Sequence, residues 1–314
     1  MTNDAASPHS GATHGAARHP PRGDARDPAP RSCGRERIQG PVRAVIFDLD
    51  GVIYRGQSVL PHAAETVAWV RERGLIVRFL TNNSTLTRAD YSRRLGDFGI
   101  STPSQHIMTS AYATALYLKS HGKHGDKVLV VGEGGLRDEI AAAGFNVAQW
   151  SSCDGARYVA VGMDRAFSYD MLRAAMAAIL AGAEFIASNR DATFPVEDGL
   201  LPGGGTVVAA IETAVGLPPL LIGKPTTRMI EALLSEIGCA PGETLLVGDR
   251  LDTDIQTGRA AGVRTALALT GISSADEACA APEETRPDFV IETLAALRPL
   301  LAELAAPNVE EPRP

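Results

Sequence analysis

An apolar segment at residues 45–54 contains two carboxylates that are one residue apart. It reads VIFDLDGVIY, so Asp48 and Asp50 end a strand-like run and Gly51 follows them. The alternation of a strand points both carboxylates to one side, where their charges repel each other unless a cation or a proton intervenes. A magnesium ion beside Asp48 would meet that need, and Asp50 would then be free to give up and recover a proton. The alternative interpretation is that both residues only cap the turn after the strand.

Three further polar stretches follow predicted strands. They are Thr81-Asn82-Asn83-Ser84, Gly223-Lys224-Pro225 and Gly248-Asp249-Arg250-Leu251-Asp252-Thr253-Asp254. Because ligands bind beyond the carboxyl ends of the strands in an open α/β sheet, we expect these stretches to meet Asp48 and Asp50 at one edge. Each stretch alone is common in proteins, and it is their combination in this order that indicates an active site.

In order and context, these four segments resemble the four motifs of the haloacid dehalogenase (HAD) superfamily. The resemblance covers nearly everything after residue 41. It implies a Mg²⁺-dependent phosphatase in which Asp48 attacks the phosphorus atom of a phosphate monoester and forms an aspartyl-phosphate. Asp50 would protonate the leaving alcohol and later deprotonate water. Thr81 would hydrogen-bond the transferred phosphoryl group, and Lys224 would neutralise charge on it and on Asp48.

The same resemblance implies a Mg²⁺ site made of oxygen ligands. Asp48 would bind the ion through its carboxylate, Asp50 through its backbone carbonyl, and Asp249 directly. Asp254 would orient a water molecule on the ion without touching the ion itself. Asp252, in the same motif, has a simpler interpretation as the N-cap of the next helix.

The segment between the Thr81 and Lys224 motifs resembles the inserted C2-type cap of the NagD, phosphoglycolate phosphatase and pyridoxal phosphatase group. In that group the cap covers the active site and selects the leaving group. The substrate-binding positions that the resemblance implies are Gly51, Asn82, Asn83, Asn189, Arg190, Asp191, Phe194 and Gly204. Phosphoglycolate, glycerol phosphate, pyridoxal phosphate, nucleotides and sugar phosphates are all candidate substrates, and the sequence does not choose among them.

Two of these positions have competing interpretations. Many members of the group have Pro at the position of Arg190, so Arg190 predicts a more basic pocket and a substrate with a second anionic group. Phe194 is equally well explained by packing, because an aromatic residue before Pro often lies in a core. For the whole chain, a nonenzymatic binder of a phosphorylated metabolite and a phosphomutase are the alternatives to a phosphatase.

The pattern of apolar residues predicts the elements that position these side chains. Short runs rich in Val, Ile and Leu alternate with segments of helical period, which is typical of a parallel sheet covered on both faces. For the first unit we predict strands at 42–47, 75–80, 220–222, 244–247, 265–269 and 289–291. For the inserted unit we predict strands at 127–131, 158–161 and 184–187, with helices at 136–143 and 169–180. The expected fold is therefore α/β: a Rossmann-like HAD core with a parallel sheet, plus an inserted α/β C2-type cap domain.

These elements divide the chain into five segments. We expect a HAD core at 41–120 and 219–305, a C2 cap domain at 121–218, and a C-terminal tail at 306–314. Residues 1–40 are rich in Pro, Gly, Ala, Arg and Asp, and they hold almost no large apolar side chains. We expect them to form a disordered tail, because they cannot bury enough apolar surface to become ordered.

Composition excludes several other classes of protein. The net charge of −7 and the lack of a Lys/Arg cluster argue against a nucleic-acid partner. No apolar stretch approaches the roughly 20 residues that cross a bilayer, and the 4 cysteines lie far apart without metal-binding spacing. We therefore expect a cytoplasmic protein whose partner is a small phosphorylated metabolite. The resemblance adds the expectation of a homodimer formed through the cap.

Overall fold

The computed structural model describes residues 31–32, 40–196 and 199–304. Most of the predicted disordered tail at 1–40, and the predicted C-terminal tail at 306–314, lie outside the described residues. Within the tail, Arg31–Ser32 form a short strand that pairs antiparallel with Phe289 and Val290. The expectation of a tail without structure is wrong at these two residues, because the free edge of the sheet offers them backbone hydrogen bonds.

Strands and helices alternate through most of the described chain. The strands are β1 (Arg31–Ser32), β2 (Ala44–Asp48), β3 (Tyr54–Arg55), β4 (Ser58–Val59), β5 (Ile76–Thr81), β6 (Ile107–Thr109), β7 (Lys127–Val131), β8 (Asn146–Ala148), β9 (Tyr158–Val161), β10 (Glu184–Ala187), β11 (Thr193–Val196), β12 (Gly199–Pro202), β13 (Leu220–Leu221), β14 (Thr244–Gly248), β15 (Arg264–Ala268) and β16 (Phe289–Ile291). The helices are α1 (Ala63–Glu72), α2 (Arg88–Asp97), α3 (Ser110–His121), α4 (Gly134–Ala142), α5 (Tyr169–Leu180), α6 (Gly204–Val215), α7 (Arg228–Ile237), α8 (Gln256–Ala260), α9 (Ala275–Ala280) and α10 (Leu297–Leu304). A π-helical turn at Leu251–Ile255 precedes α8.

The first sheet has the strand order β1-β16-β15-β14-β2-β5-β6, and every pair except β1 with β16 is parallel. Its two central strands, β2 and β14, are buried along their whole length, which explains their continuous apolar runs. Five of the predicted strands are confirmed here within one or two residues. Strand β6 was not predicted, because three residues give too short a pattern to separate from the neighbouring helix.

The second sheet has the order β13-β10-β9-β7-β8 and is entirely parallel. The three strands and two helices predicted for the inserted unit are confirmed. The strand predicted at 220–222 is placed in the wrong sheet, since Leu220 and Leu221 pair with Ile186 and Ala187 of β10. After α6 the chain pairs with β10 at the edge of the second sheet, where its backbone groups gain hydrogen bonds, and it then returns to the first unit.

One apolar cluster joins the two sheets. It contains Ile46 and Leu80 of the first sheet together with Val130 and Ile186 of the second, and all four side chains are buried. Burial of this continuous apolar surface holds the two units together and fixes the space between the carboxyl ends of their strands. No helix in the described part of the chain has the length and apolar character that crossing a membrane requires.

Candidate active site

The polar stretches predicted to converge do so in one cleft between the two sheets, with about 610 Å³ of empty space. The lining residues are Asp48, Asp50, Thr81, Asn82, Asn83, Ser84, Met163, Asn189, Asp191, Thr193, Phe194, Gly203, Gly204, Lys224, Asp249, Arg250, Thr253, Asp254 and Ile272. They come from the ends of β2, β5 and β14, from the segments after β9, β13 and β15, and from the loops around β11 and β12. Parallel strands that end at one edge produce this convergence.

Lys224 lies at the centre of a buried ion network. Its Nζ donates to Oδ1 of Asp48 at 2.5 Å and to Oδ1 of Asp254 at 2.5 Å. Burial alone would lower the pKa of Lys224, but the carboxylates of Asp254 and Asp48 reverse that effect and raise it. The side chain therefore stays charged and holds the two carboxylates in place.

Three carboxylates crowd the same point. Oxygens of Asp48, Asp249 and Asp254 lie within 4.8 Å of one another, and all three residues are buried. Burial and the charge of Asp254 raise the pKa of Asp249 to about 8, and burial likewise raises the pKa of Asp48 well above its usual range. Carboxylate oxygens are the hard ligands that Mg²⁺ prefers, so these residues fit that ion.

Asp254 also organises the loop that carries Asp249. Its Oδ2 accepts the backbone N–H groups of Asp249 and Arg250, each at 3.1 Å. A Cβ on Gly248 would lie 2.2 Å from Cβ of Asp254, so the close approach requires glycine there. Gly51 is needed for a similar reason. It has φ +83° and a Cβ there would meet Oδ2 of Asp249 at 2.3 Å, but Gly51 does not itself line the cleft as a substrate-binding residue would.

Asp50 is half-buried and faces the cleft two residues after Asp48. The hydroxyl of Tyr54 donates to its Oδ2 at 3.3 Å. Burial raises the pKa of Asp50 to about 6, although Arg94 and the Tyr54 hydrogen bond oppose the rise. A carboxyl group with this pKa can both donate and accept a proton near neutral pH.

Asn82 and Asn83, both predicted to bind substrate, are engaged mainly with the protein itself. The Nδ2 of Asn82 donates to Oδ1 of Asp191 and to the carbonyl of Lys224, each at 3.0 Å, and its Oδ1 accepts from the Lys224 backbone N–H at 2.8 Å. Oδ1 of Asn83 accepts from the backbone N–H of Thr85 at 2.9 Å. Thr81 is buried beside them and its Oγ1 accepts the N–H of Asn83 at 3.1 Å. The side chain of Asn82 thus joins the two sides of the cleft.

The second sheet contributes the loop that follows β10. Asn189 is buried and its Nδ2 donates to the carbonyl of Asn82 at 2.8 Å. Asp191 and Phe194 are half-buried and line the cleft, as does Gly204 at the start of α6. Phe194 therefore faces the cleft, and the interpretation that it only packs in a core is not favoured.

Arg190 does not line the cleft. Its guanidinium points outward and forms a salt bridge with Glu212 of α6, with Nη2 and Oε2 2.5 Å apart. The prediction that Arg190 makes the pocket basic is wrong. Within this loop Asp191 faces the cleft, whereas the neighbouring Arg190 is held by Glu212 on the side away from it.

The cleft has a second cation, Arg250, that was not among the predicted site residues. Its Nε and Nη2 donate to the two carboxylate oxygens of Asp252, each at 3.1 Å. The N-cap of the next helical turn is Arg250, so the interpretation of Asp252 as that N-cap is wrong. The position directly after Asp249 was the only sequence signal for Arg250. Met163, Thr193 and Ile272 also line the cleft, and nothing in their local pattern indicated it.

Comparison with known proteins gives the family. Residues 45–146 match a family model described as haloacid dehalogenase-like hydrolase, and residues 221–297 match one described as HAD-hydrolase-like. The chain is 38% identical to the dihydroxyacetone phosphatase of Corynebacterium glutamicum over 253 residues, covering 80% of this chain and 89% of that protein. The chain belongs to the haloacid dehalogenase-like hydrolases.

Further relatives of this HAD-like hydrolase place it beside NagD. It is 35% identical to the ribonucleotide monophosphatase NagD of Escherichia coli, covering 82% of this chain and 98% of that one. A crystal structure of a glycerol phosphate phosphatase from Mycobacterium tuberculosis in complex with magnesium superimposes with a TM-score of 0.77 at 33% identity, covering 88% of this chain and 82% of that one. This HAD-like hydrolase is a phosphoric monoester hydrolase, and its cofactor is Mg²⁺.

Proposed function

We propose that this HAD-like hydrolase cleaves small phosphate monoesters through a phosphoryl group carried on Asp48. The observation that carries the proposal is the position of Asp48: it is buried at the end of β2, bonded to Lys224, and faces the cleft beside Asp50. A nucleophile, a proton donor and a fixed cation thus meet at one point of the cleft.

The reaction has two balanced steps. In the first, a carboxylate oxygen of Asp48 attacks phosphorus, the bond to the ester oxygen breaks, and Asp50 gives its proton to the leaving alcohol. In the second, Asp50 takes a proton from water, the water oxygen attacks phosphorus, and the bond to Asp48 breaks to release inorganic phosphate. The pKa of Asp50, raised to about 6, suits a group that serves as acid and then as base.

Other residues hold the reacting groups. Lys224 offsets negative charge on Asp48 and on the phosphoryl oxygens. Thr81, the last residue of β5, lines the cleft and would donate its hydroxyl to one of those oxygens. Asp48, Asp249 and the backbone carbonyl of Asp50 would hold Mg²⁺, with Asp254 beside them. When bound, the ion supplies positive charge that brings the anionic ester and the carboxylate of Asp48 together.

We propose that residues 121–218 act as a C2-type cap over a core at 41–120 and 219–305, with Leu220 and Leu221 adding an edge strand to the sheet of the cap. Asn189, Asp191, Phe194 and Gly204 reach the cleft from this unit and so are placed to contact the leaving group. The relatives are named for dihydroxyacetone phosphate, ribonucleotide and glycerol phosphate chemistry, which supports small esters of this kind as substrates. Phosphoglycolate, pyridoxal phosphate and sugar phosphates complete the set of candidates.

The test is inorganic phosphate released from a panel of these esters, with Mg²⁺ and with a chelator. We expect Mg²⁺-dependent release from a subset of the panel. Binding of esters without release would favour the nonenzymatic binder, and isomerisation of a sugar phosphate without release would favour a phosphomutase.

The remaining proposals concern assembly and location. The outer face of α5 exposes Tyr169, Met176 and Leu180, which lie on one side of the helix at spacings of seven and four residues. We propose that two copies associate through this unit, and light scattering coupled to gel filtration would give the mass that decides it. We also propose that the enzyme is cytoplasmic and has no nucleic-acid partner, and the net charge of −7 supports the second of these proposals.

A further inference from the structure

Tyr54 lies behind the proposed proton donor, Asp50. Its hydroxyl donates to Oδ2 of Asp50 at 3.3 Å. The side chain of Tyr54 is fully buried, whereas Asp50 is half-buried and lines the cleft. The carboxyl group of Asp50 therefore borders open space on one side and this hydroxyl on the other. Because rotation about the last side-chain bond of an aspartate is soft, a contact is needed to fix where its oxygens point.

A tight backbone turn brings Tyr54 back to Asp50. The N–H groups of Ile53 and Tyr54 donate to the carbonyl of Leu49 at 2.9 and 3.2 Å. The N–H of Gly51 donates to the carbonyl of Tyr54 at 2.8 Å, which closes the turn from its other side. These bonds fix the backbone of Tyr54 relative to that of Asp50.

The ring of Tyr54 is held by its neighbours. The guanidinium of Arg94 lies over the ring, with its central carbon 4.1 Å from the ring centroid, and Arg94 itself donates to the carbonyl of Gly56. The ring of Phe98 lies beside that of Tyr54 with centroids 5.6 Å apart, and Tyr54 belongs to one buried apolar cluster with Phe79. Stacking of a cation on the ring and close packing around it leave the hydroxyl at a fixed place.

Packing alone does not account for a tyrosine at this position. Phe would fill the same part of the apolar cluster, and burying a hydroxyl costs free energy unless it makes a hydrogen bond. The hydroxyl of Tyr54 meets that need at the carboxyl group of Asp50. The fold thus places a rigid donor against the side chain to which the proposed reaction assigns the proton.

We propose that Tyr54 is a positioning residue that fixes the carboxyl group of Asp50 in the orientation from which it protonates the leaving alcohol. With Oδ2 engaged by Tyr54, the proton is carried on Oδ1. The O–H bond at Oδ1 breaks as the bond from phosphorus to the ester oxygen breaks, and the proton passes to that oxygen. Tyr54 keeps its own proton throughout. This inference rests on the proposed phosphatase function and adds a residue to it.

The need for a positioned proton donor depends on the leaving group. p-Nitrophenol is acidic enough to depart as its anion, whereas glycerol is a far weaker acid and leaves readily only when its oxygen is protonated. The value of kcat/KM covers the steps up to release of the alcohol and excludes the later hydrolysis of the aspartyl-phosphate, in which Asp50 acts for every ester. The ratio of kcat/KM for the two esters therefore isolates proton donation to the leaving group.

The test measures kcat/KM for glycerol 3-phosphate and p-nitrophenyl phosphate with Mg²⁺. The full-length wild type is compared with Tyr54→Phe and with the control Tyr158→Phe. Tyr158 is also buried and packs against an aromatic ring, that of Phe145 with centroids 6.5 Å apart, but it does not line the cleft.

Tyr54→Phe should lower kcat/KM for glycerol 3-phosphate about tenfold, the size expected of one hydrogen bond to a charged group. The value for p-nitrophenyl phosphate should stay close to that of the wild type, and Tyr158→Phe should leave the ratio of the two unchanged. A fall of equal size for both esters, or no change for either, would overturn the inference. A general disturbance of the site around Asp48 affects every ester alike, and the phosphatase function would still stand.

If the wild type releases phosphate from neither of these esters nor from the wider panel, the proposed function fails and the inference fails with it. A melting curve by circular dichroism shows whether Tyr54→Phe is folded. Should it not be, Arg94→Lys decides, because it keeps the positive charge and the Tyr54 hydroxyl but removes the flat guanidinium over the ring. The ratio of kcat/KM for glycerol 3-phosphate to that for p-nitrophenyl phosphate should then fall about two- to fivefold, and an unchanged ratio would overturn the inference.

Discussion

The two sides of the cleft are built in different ways. On the first-sheet side, Asp48, Lys224, Asp249 and Asp254 are all at most 5% exposed and bonded to one another or to backbone groups. On the second-sheet side, Asp191, Thr193 and Phe194 are only half-buried, and the adjoining hairpin of β11 and β12 exposes Leu200 and Leu201. The comparison supports the proposal that a buried network fixes the reacting groups, whereas the half-buried side chains of the second-sheet side contact the leaving group.

Removing the charge of Lys224 should have the largest effect. Lys224→Met leaves Asp48 and Asp254 buried without their cation, and breaking a buried pair in this way costs about 3–5 kcal/mol of unfolding free energy. We also expect kcat to fall about 10²- to 10³-fold or more, because a fixed cation at the phosphoryl group is lost. Urea unfolding without metal and phosphate release with Mg²⁺ measure the two effects.

Arg43→Met is the matched control for this variant. It breaks the surface pair of Arg43 with Glu243, which directly precede β2 and β14 at the strand ends opposite the cleft and whose Nη1 and Oε2 are 3.2 Å apart. Exposed pairs contribute little, so both stability and kcat should stay close to wild type. Equal losses in the two variants would contradict the distinction between a buried network and an exposed surface.

The stability of the metal-free protein should fall as the pH rises. The pKa of Asp249 is raised to about 8 in the folded protein from 3.8 in the unfolded chain, mainly by burial and by Asp254. The stabilising contribution of its protonated form is complete below pH 3.8 and is lost as the pH rises through about 8. Between pH 6 and pH 8 this amounts to about 2 kcal/mol.

Urea unfolding in a chelator at the two pH values checks this prediction. Mg²⁺ should restore more stability at pH 8 than at pH 6, because at pH 6 protons compete with the ion for the same oxygens. If the unfolding free energy of the metal-free protein stays constant or rises between pH 6 and pH 8, ionisation of the acidic cluster does not destabilise the fold.

Asn82 is where the two regions meet, and its removal should have a smaller effect. Asn82→Ala takes partners from the backbone of Lys224 and from Oδ1 of Asp191, which we expect to cost about 1–2 kcal/mol of unfolding free energy. It should also lower kcat, because Lys224 is less well held. In the control Asn83→Ala only the cap on Thr85 is lost. If Asn82→Ala lowers the unfolding free energy no more than Asn83→Ala does, the side chain of Asn82 does not join the two sides of the cleft.

The first-sheet side could be predicted from the sequence because its residues follow buried parallel strands. Asp48, Thr81 and Asp249 each end or directly follow such a strand, and the topology of the sheet then leaves them only one edge at which to meet. Lys224 is different, because it follows the two-residue strand β13 of the second sheet and was predicted from its motif rather than from the first sheet's topology. The local pattern was sufficient here because each strand is long enough to show its period.

The second-sheet side could not be predicted to the same depth. Whether Arg190 or Asp191 faces the cleft depends on how the loop rests against Gly203 and Gly205, which is a tertiary contact without a local signature. Arg250 is positioned by the side chain of Asp252, and the sequence interpretation had assigned Asp252 to helix capping. The two-residue strand at Leu220–Leu221 is too short to indicate which sheet it joins.

The account depends most directly on Asp48 as the residue that carries the phosphoryl group. Asp48→Asn keeps the shape of the side chain and an acceptor for Lys224, so we expect a folded protein by circular dichroism. Phosphate release from glycerol 3-phosphate and p-nitrophenyl phosphate with Mg²⁺ should fall by at least about 10⁴-fold, the scale seen when a covalent nucleophile is removed. Turnover within tenfold of the wild type by the folded variant would contradict a mechanism through Asp48.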